Sequence, residues 1–109
     1  MLIKLSCKSI PEGSPALREE ELAALLPQVP NWHISPDDKK LKAAFQFNNY
    51  YETMAFVNAV AWIAHQEDHH PELIVTYNQC KIAYDTHTVK GLSQNDFICA
   101  AKIDQLRPL

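Results

Sequence analysis

Between Leu41 and Phe47 apolar and polar positions alternate, Leu41, Ala43, Phe45 and Phe47 against Lys42, Ala44 and Gln46. That is the two-residue period of a half-buried strand. Trp32-His33-Ile34 reads as a short strand before it, with Ser35-Pro36-Asp37-Asp38 as the connecting turn, so the pair predicts an antiparallel hairpin. From Tyr50 to Asp68 the period lengthens. Thr53, Phe56, Val57, Val60, Ile63 and Ala64 fall at helical spacing and form one apolar stripe of a long helix. Pro71 predicts the end of this helix around His69 or His70, because the residue before a proline is pushed out of helical geometry. Asn58, Trp62, His65 and His69 lie on the side away from the stripe. Leu73–Tyr77 and Ile82–Thr86 are strand-like, with Asn78-Gln79 as a tight turn between them, a second hairpin.

The two ends of the chain add a helix each. Ser14 followed by Pro15 is a helix start, and Leu17, Leu22, Leu25 and Leu26 follow before Pro27, which predicts a helix over about 15–26. Ser93 with Asp96 three residues on has capping-box spacing and opens a last helix through Phe97, Ile98, Ala100 and Ala101 to about Leu106. Residues 1–13 show no period and contain Pro11 and Gly13. They are expected to be an irregular N-terminal segment of little functional weight ahead of a single domain over 14–109. The order α-β-β-α-β-β-α implies an α+β fold, a four-stranded antiparallel sheet with helices packed on one face.

Composition narrows the function classes. A chain of 109 residues, 47% hydrophobic and 21% charged with only two glycines, closes one core and is not a disordered or low-complexity chain. A formal net charge of −3 argues against direct nucleic-acid binding, which needs a basic patch. Cys7, Cys80 and Cys99 are odd in number and widely spaced, with no C-x-x-C pair, as in a reducing compartment. No run approaches the roughly 18 apolar residues of a membrane span, and the opening Met1–Leu5 is too short for a signal-peptide core. The expectation is a cytoplasmic protein without membrane contact.

The chemistry concentrates between His65 and Asp96. This stretch holds four of the five histidines, His65, His69, His70 and His87, and histidine alone gives and takes protons near neutrality at its ordinary pKa. His69 and His70 at a helix end and His87 at a strand end can surround one hollow and act as general acid and base on a small polar molecule. Two other readings stand beside this one. His69 and His70 are also suitably placed cations for a helix C-terminus, and His65, His69 and His87 together have the makings of a metal site, although the glutamate of H-E-x-x-H is absent. Asp96 would be expected as a capping acid in any protein. Tyr77 and Trp32 read as packing residues, and His33 stands apart.

Asp68-His69-His70-Pro71-Glu72, Tyr77-Asn78, Thr86-His87, Gly91-Leu92-Ser93 and Asp96, in this order and spacing, resemble the pterin-4a-carbinolamine dehydratase family, over about residues 15–106. The resemblance implies the α-β-β-α-β-β-α fold and a lyase that removes water from a 4a-hydroxytetrahydropterin to give a quinonoid dihydropterin, in tetrahydrobiopterin recycling. It implies His69, His70 and His87 as catalytic residues, Asp96 and Thr86 in the pterin pocket, and no metal or organic cofactor. His65 and Trp32 are further candidates for substrate contact, His65 standing where many members carry glutamate. The implied partners are the pterin substrate, other copies of the chain in a homodimer or homotetramer, and an aromatic amino acid hydroxylase that supplies the substrate. A non-catalytic binding, assembly or dimerisation role on the same fold is the alternative.

Overall fold

The alternating segment forms β2 (Leu41–Gln46), with Leu41, Ala43 and Phe45 buried and Ala44 and Gln46 exposed. The computed structural model describes residues 1–106, so the last three residues of the expected 14–109 unit lie outside the described residues. His33–Ile34 (β1) pairs antiparallel with β2, His33 opposite Lys42, as the hairpin reading predicts. The second hairpin is β3 (Glu72–Val75) and β4 (Gln79–Tyr84). All pairings are antiparallel and the order is β1-β2-β4-β3.

The second hairpin turns one residue earlier than the sequence predicts, at Tyr77-Asn78, where the Thr76 N–H meets the Gln79 carbonyl at 2.9 Å. Gln79 therefore belongs to the strand, and β4 ends at Tyr84 instead of Thr86. Packing decides this register, because a one-residue slip turns every side chain to the other face. As built, Cys80, Ile82 and Tyr84 all face the core. The turn is pinned by Phe47 N–H on the Asn78 carbonyl at 2.8 Å and by Thr53 Oγ1 on the Tyr77 carbonyl at 2.9 Å.

Helix α2 (Tyr50–Glu67) starts at Asn49, whose side chain accepts the Glu52 N–H at 2.9 Å. Thr53, Phe56, Val60 and Ala64 are its buried line. Phe56 packs on Phe45 and Phe47 of the first hairpin with ring centroids 4.9 and 5.0 Å away. The helix ends before both histidines, not on them. Asp68 adopts the left-handed conformation at φ 52 and ψ 45, and the Asp68 and His69 N–H groups bond back to the His65 and Ala64 carbonyls at 3.3 and 3.1 Å. This Schellman closure satisfies the last carbonyls and swings the chain, so that His69 leaves the outer line of Asn58, Trp62 and His65 and turns inward.

Helix α1 (Glu19–Leu25) is shorter than the predicted 15–26. Ser14 Oγ bonds the Pro11 carbonyl at 2.7 Å in a turn, and Leu17 N–H is held by the Leu92 carbonyl at 2.8 Å, so residues 14–17 are committed elsewhere. The helix begins where Arg18 N–H reaches the Glu21 carboxylate at 2.9 Å. Pro27 does not stop the chain's winding but sits in a 3-10 turn, Leu26–Gln28. Helix α3 (Gln94–Asp104) follows Ser93 as predicted and buries Phe97, Ile98, Cys99, Ala100, Ala101 and Ile103. The N-terminal segment docks on it: Leu2 is buried, and Lys8 and Asn95 exchange two hydrogen bonds at 3.1 and 2.8 Å. Among the described residues no helix is long and apolar enough to cross a membrane.

Candidate active site

Asp96, the third residue of α3, is fully buried. Its Oδ2 accepts the Ser93 N–H at 2.9 Å and the Thr86 hydroxyl at 2.8 Å, and its Oδ1 lies 2.6 Å from His69 Nε2. The capping role and the site role therefore fall on one carboxylate. Thr86 has a single hydroxyl proton, already given to Asp96, so the 2.7 Å contact between Thr86 and Ser93 is donated by Ser93. A relay runs from the Ser93 hydroxyl to Thr86 to Asp96, each bond polarising the next.

His69 is fixed on several sides. Its carbonyl accepts the Tyr84 hydroxyl at 3.1 Å, its ring stacks on the Tyr84 ring at 5.1 Å and 28°, and Nε2 is committed to Asp96. An ionised carboxylate only accepts, so Nε2 carries a proton and Nδ1 is the nitrogen left for other chemistry. Burial works to lower the basicity of His69, but the Asp96 hydrogen bond and charge outweigh it and hold the pKa above the ordinary 6.5.

Two hollows meet at Asp68 and His69. One, of about 360 Å³, is largely polar and bordered by Cys7, Lys8, Glu67, His69, Thr86 and Thr88. The other, of about 400 Å³, is bordered by His65, His69, His70, Pro71 and Leu73. The structure thus brings His69, Asp96 and Thr86 into direct contact and sets His65 and His70, both exposed, around the second hollow. His87 is exposed at the start of a 3-10 turn, His87–Val89, and borders neither hollow, although its neighbours Thr86 and Thr88 line the first, so the three histidines do not surround the one hollow that the sequence predicts. Strand β4 ends at Tyr84 and does not carry His87, contrary to the sequence reading, which places it at a strand end. Instead the Thr86 N–H bonds the Gly91 carbonyl at 2.8 Å, closing the loop that bears His87. Gly91 is required there by close approach, since a Cβ would come within 2.9 Å of the Ala16 methyl.

Trp32 is a packing residue. Its indole is buried, donates to Asp104 Oδ1 at 2.9 Å, and lies 6.2 Å from Phe45 and 6.3 Å from Tyr84. It supports the ring on which His69 stacks. His33 borders a separate hollow with Lys42, Ile74 and Lys81 on the sheet's open face. No cluster of three or more metal-ligating side chains occurs among the described residues.

Sequence reasoning missed three contributors: Tyr84, the Ser93 hydroxyl, and residues 7–10 along the first hollow. The in-out alternation of β4 carries the signal for Tyr84, on the face of Cys80 and Ile82. Nothing in the sequence ties Cys7 to a hollow formed sixty residues later in the chain.

A carboxylate-anchored histidine thus lies where two hollows meet on a small α+β domain, with the exposed His65 and His70 beside the second. The chain belongs to the pterin 4 alpha carbinolamine dehydratase family, whose model matches residues 15–106. Curated relatives provisionally named pterin-4-alpha-carbinolamine dehydratase include one from Nitrosomonas eutropha, 55% identical over 92% of this chain and 88% of its own length. One from Legionella pneumophila is 52% identical over 92% of this chain and 89% of its own. Among solved structures, a protein of Brucella melitensis described as a transcriptional coactivator/pterin dehydratase superposes with a TM-score of 0.79 at 26% identity, over 83% of this chain and 96% of that one. A pterin dehydratase-like protein described as a RuBisCO assembly factor shares the fold, with a TM-score of 0.62 at 24% identity over 72% of this chain and 90% of its own.

Proposed function

We propose that this chain removes water from a 4a-hydroxytetrahydropterin to give a quinonoid dihydropterin, by histidine acid–base catalysis, and serves tetrahydrobiopterin recycling downstream of an aromatic amino acid hydroxylase. The observation that carries the reading is the 2.6 Å bond between His69 and the fully buried Asp96. In the reaction the C4a–O bond breaks. One imidazolium gives its proton to the departing hydroxyl, which leaves as water, and a neutral imidazole accepts a ring proton. The two roles need histidines in different protonation states. Asp96 holds the imidazolium form of His69 to higher pH, which suits the acid. His70, exposed at the rim of the second hollow, and His87, exposed on the turn after Thr86, are the groups to receive the ring proton and orient the substrate. Thr86 keeps Asp96 in place, and His65 borders the substrate from α2.

Stopped-flow absorbance of 4a-hydroxytetrahydropterin decay, with wild type beside a His70→Ala/His87→Ala double variant of verified fold, tests this. Decay faster than background with wild type and near background with the variant is expected. Equal decay in both would overturn the enzymatic reading in favour of a binding role.

The chain is proposed to self-associate through the outer face of α2, where Tyr51 and Trp62, eleven residues apart and so nearly in line along the helix, are 84% and 60% exposed. Large aromatic rings left in water on one helix face suit a contact surface.

A further inference from the structure

Cys7 and Cys99 are both free thiols, ninety-two residues apart in the chain, with their sulfurs 3.6 Å apart. Cys99 is fully buried in α3, whereas Cys7 is partly exposed and borders the hollow beside His69. We propose that Cys7 and Cys99 form a reversible intramolecular disulfide that ties the N-terminal segment to α3 beside the candidate active site.

The geometry asks for little. A disulfide needs about 2.0 Å between sulfurs, and the approach falls to the irregular residues around Cys7, not to α3. Cys7 N–H is already anchored on Glu67 Oε1 at 2.8 Å, and Cys7 Sγ reaches the Asn95 carbonyl at 3.5 Å. The backbone therefore presents the thiol to Cys99 before any bond forms. The surroundings also divide the labour: the hydrogen bond from Cys7 and the charge of His69 favour the Cys99 thiolate against the opposing effect of burial, and the thiolate is the nucleophile of exchange. With a small disulfide such as oxidised glutathione, the accessible Cys7 sulfur takes one glutathionyl group and releases one reduced glutathione. The Cys99 thiolate then attacks the Cys7 sulfur and expels the second. Two thiols are oxidised and one glutathione disulfide is reduced to two thiols. Cys80, buried in β4 and pushed up to about 11 by burial, is the built-in control. The proposal needs only these sulfurs and stands or falls independently of pterin chemistry. Its consequence is local: residues 7–10 wall one hollow at His69, so the disulfide would fix that wall.

The test is equilibration of the full chain in glutathione buffers stepped from reduced to oxidised, acid quenching, alkylation and intact mass. The expected product is monomeric under denaturing, non-reducing conditions, two hydrogens lighter, joined Cys7 to Cys99 on peptide mapping, and restored by dithiothreitol. Cys7→Ser abolishes it and Cys80→Ala retains it. Because the link closes a loop of most of the chain, the oxidised form should melt at least about 5 °C higher. Accumulation of Cys7 carrying glutathione alone, disulfides between chains, intact thiols in fully oxidised buffer, or a lower melting point would each overturn the proposal.

Discussion

His69 has one ring nitrogen on a fully buried carboxylate and its ring against Tyr84, whereas His70, the next residue, is exposed at the rim of a hollow and His87 is exposed on a turn. The sequence offers these histidines as equals. The fold separates them into an anchored group, whose protonation and orientation are set by neighbours, and groups left accessible to whatever enters. The left-handed Asp68 ends α2 ahead of His69, whose ring then meets Asp96, while His87 sits on a separate turn after β4. The difference teaches that one site divides its requirements: the inner histidine is built for a defined charge state, the outer ones for reach. It also separates what substitutions will do, since the inner cluster is part of the core and the rim is not.

The largest effect is expected at the carboxylate. Asp96→Ala removes the acceptor for His69, Thr86 and the Ser93 N–H at once and leaves buried donors without partners. Breaking a buried pair in this way costs about 3–5 kcal/mol, a large share of a typical total of about 5–15 kcal/mol. Urea unfolding should show the midpoint falling steeply. A loss under about 1 kcal/mol would mean that the inner cluster is not structural and the contrast with the rim fails. His70→Ala and His87→Ala should behave in the opposite way. Each should lower the dehydration rate about 10²–10⁴-fold with stability changed by no more than about 0.5 kcal/mol. A rim variant that unfolds in parallel with its loss of rate would break the distinction.

The inner cluster was only partly legible in the sequence. Ser93 and Asp96 were readable as a helix start because capping is local, decided by residues three apart. That the same carboxylate also receives His69 depends on how α2 ends, and the sequence signal there was misleading. Pro71 suggested an end at His69 or His70, while the left-handed Asp68 closed the helix at Glu67. A proline limits how far a helix can run and does not fix where it stops. Similarly, the alternation in β2 set its faces correctly, but the second hairpin's turn was settled by Thr53, Phe47 and the burial of Cys80, Ile82 and Tyr84. Those contacts come from distant residues. The family resemblance supplied the histidine set, but which histidine is anchored on the buried carboxylate is decided by the fold. The wall made by residues 7–10 was invisible because that segment has no period and its anchors, Glu67 and Asn95, lie far along the chain.

A pH series sharpens the comparison at intermediate size. The Asp96 partnership holds the folded pKa of His69 above the ordinary value of 6.5, against the opposing effect of burial. A raised pKa means that the charged pair's stabilisation is fully present below about pH 6.5 and is lost as pH climbs through the folded value. The melting-temperature gap between wild type and His69→Gln should therefore be widest on the acid side, equivalent to about 1.5–3 kcal/mol for a hydrogen bond to a charged group, and should narrow above neutrality. A gap that widens with pH would mean that His69 is anchored in its neutral form, and the acid role would pass to the rim.

The smallest stability effect is expected farthest from the buried carboxylate, on the outer face of α2. Trp62 is 60% exposed and packs on the His65 ring at 5.7 Å, so Trp62→Glu removes little that the single chain uses. Its unfolding free energy should change by no more than about 0.5 kcal/mol. Its sedimentation profile should nevertheless move to smaller species, because a carboxylate introduced among apolar contacts is costly to desolvate in an interface. The same sample should keep the pH response of His69, since Asp96, Thr86 and Tyr84 are untouched. If sedimentation is unchanged, self-association does not use this face. If instead the His69 titration shifts with the loss of assembly, the two regions are coupled through α2, and the division between an anchored interior and an independent rim must be redrawn to include the neighbouring copy.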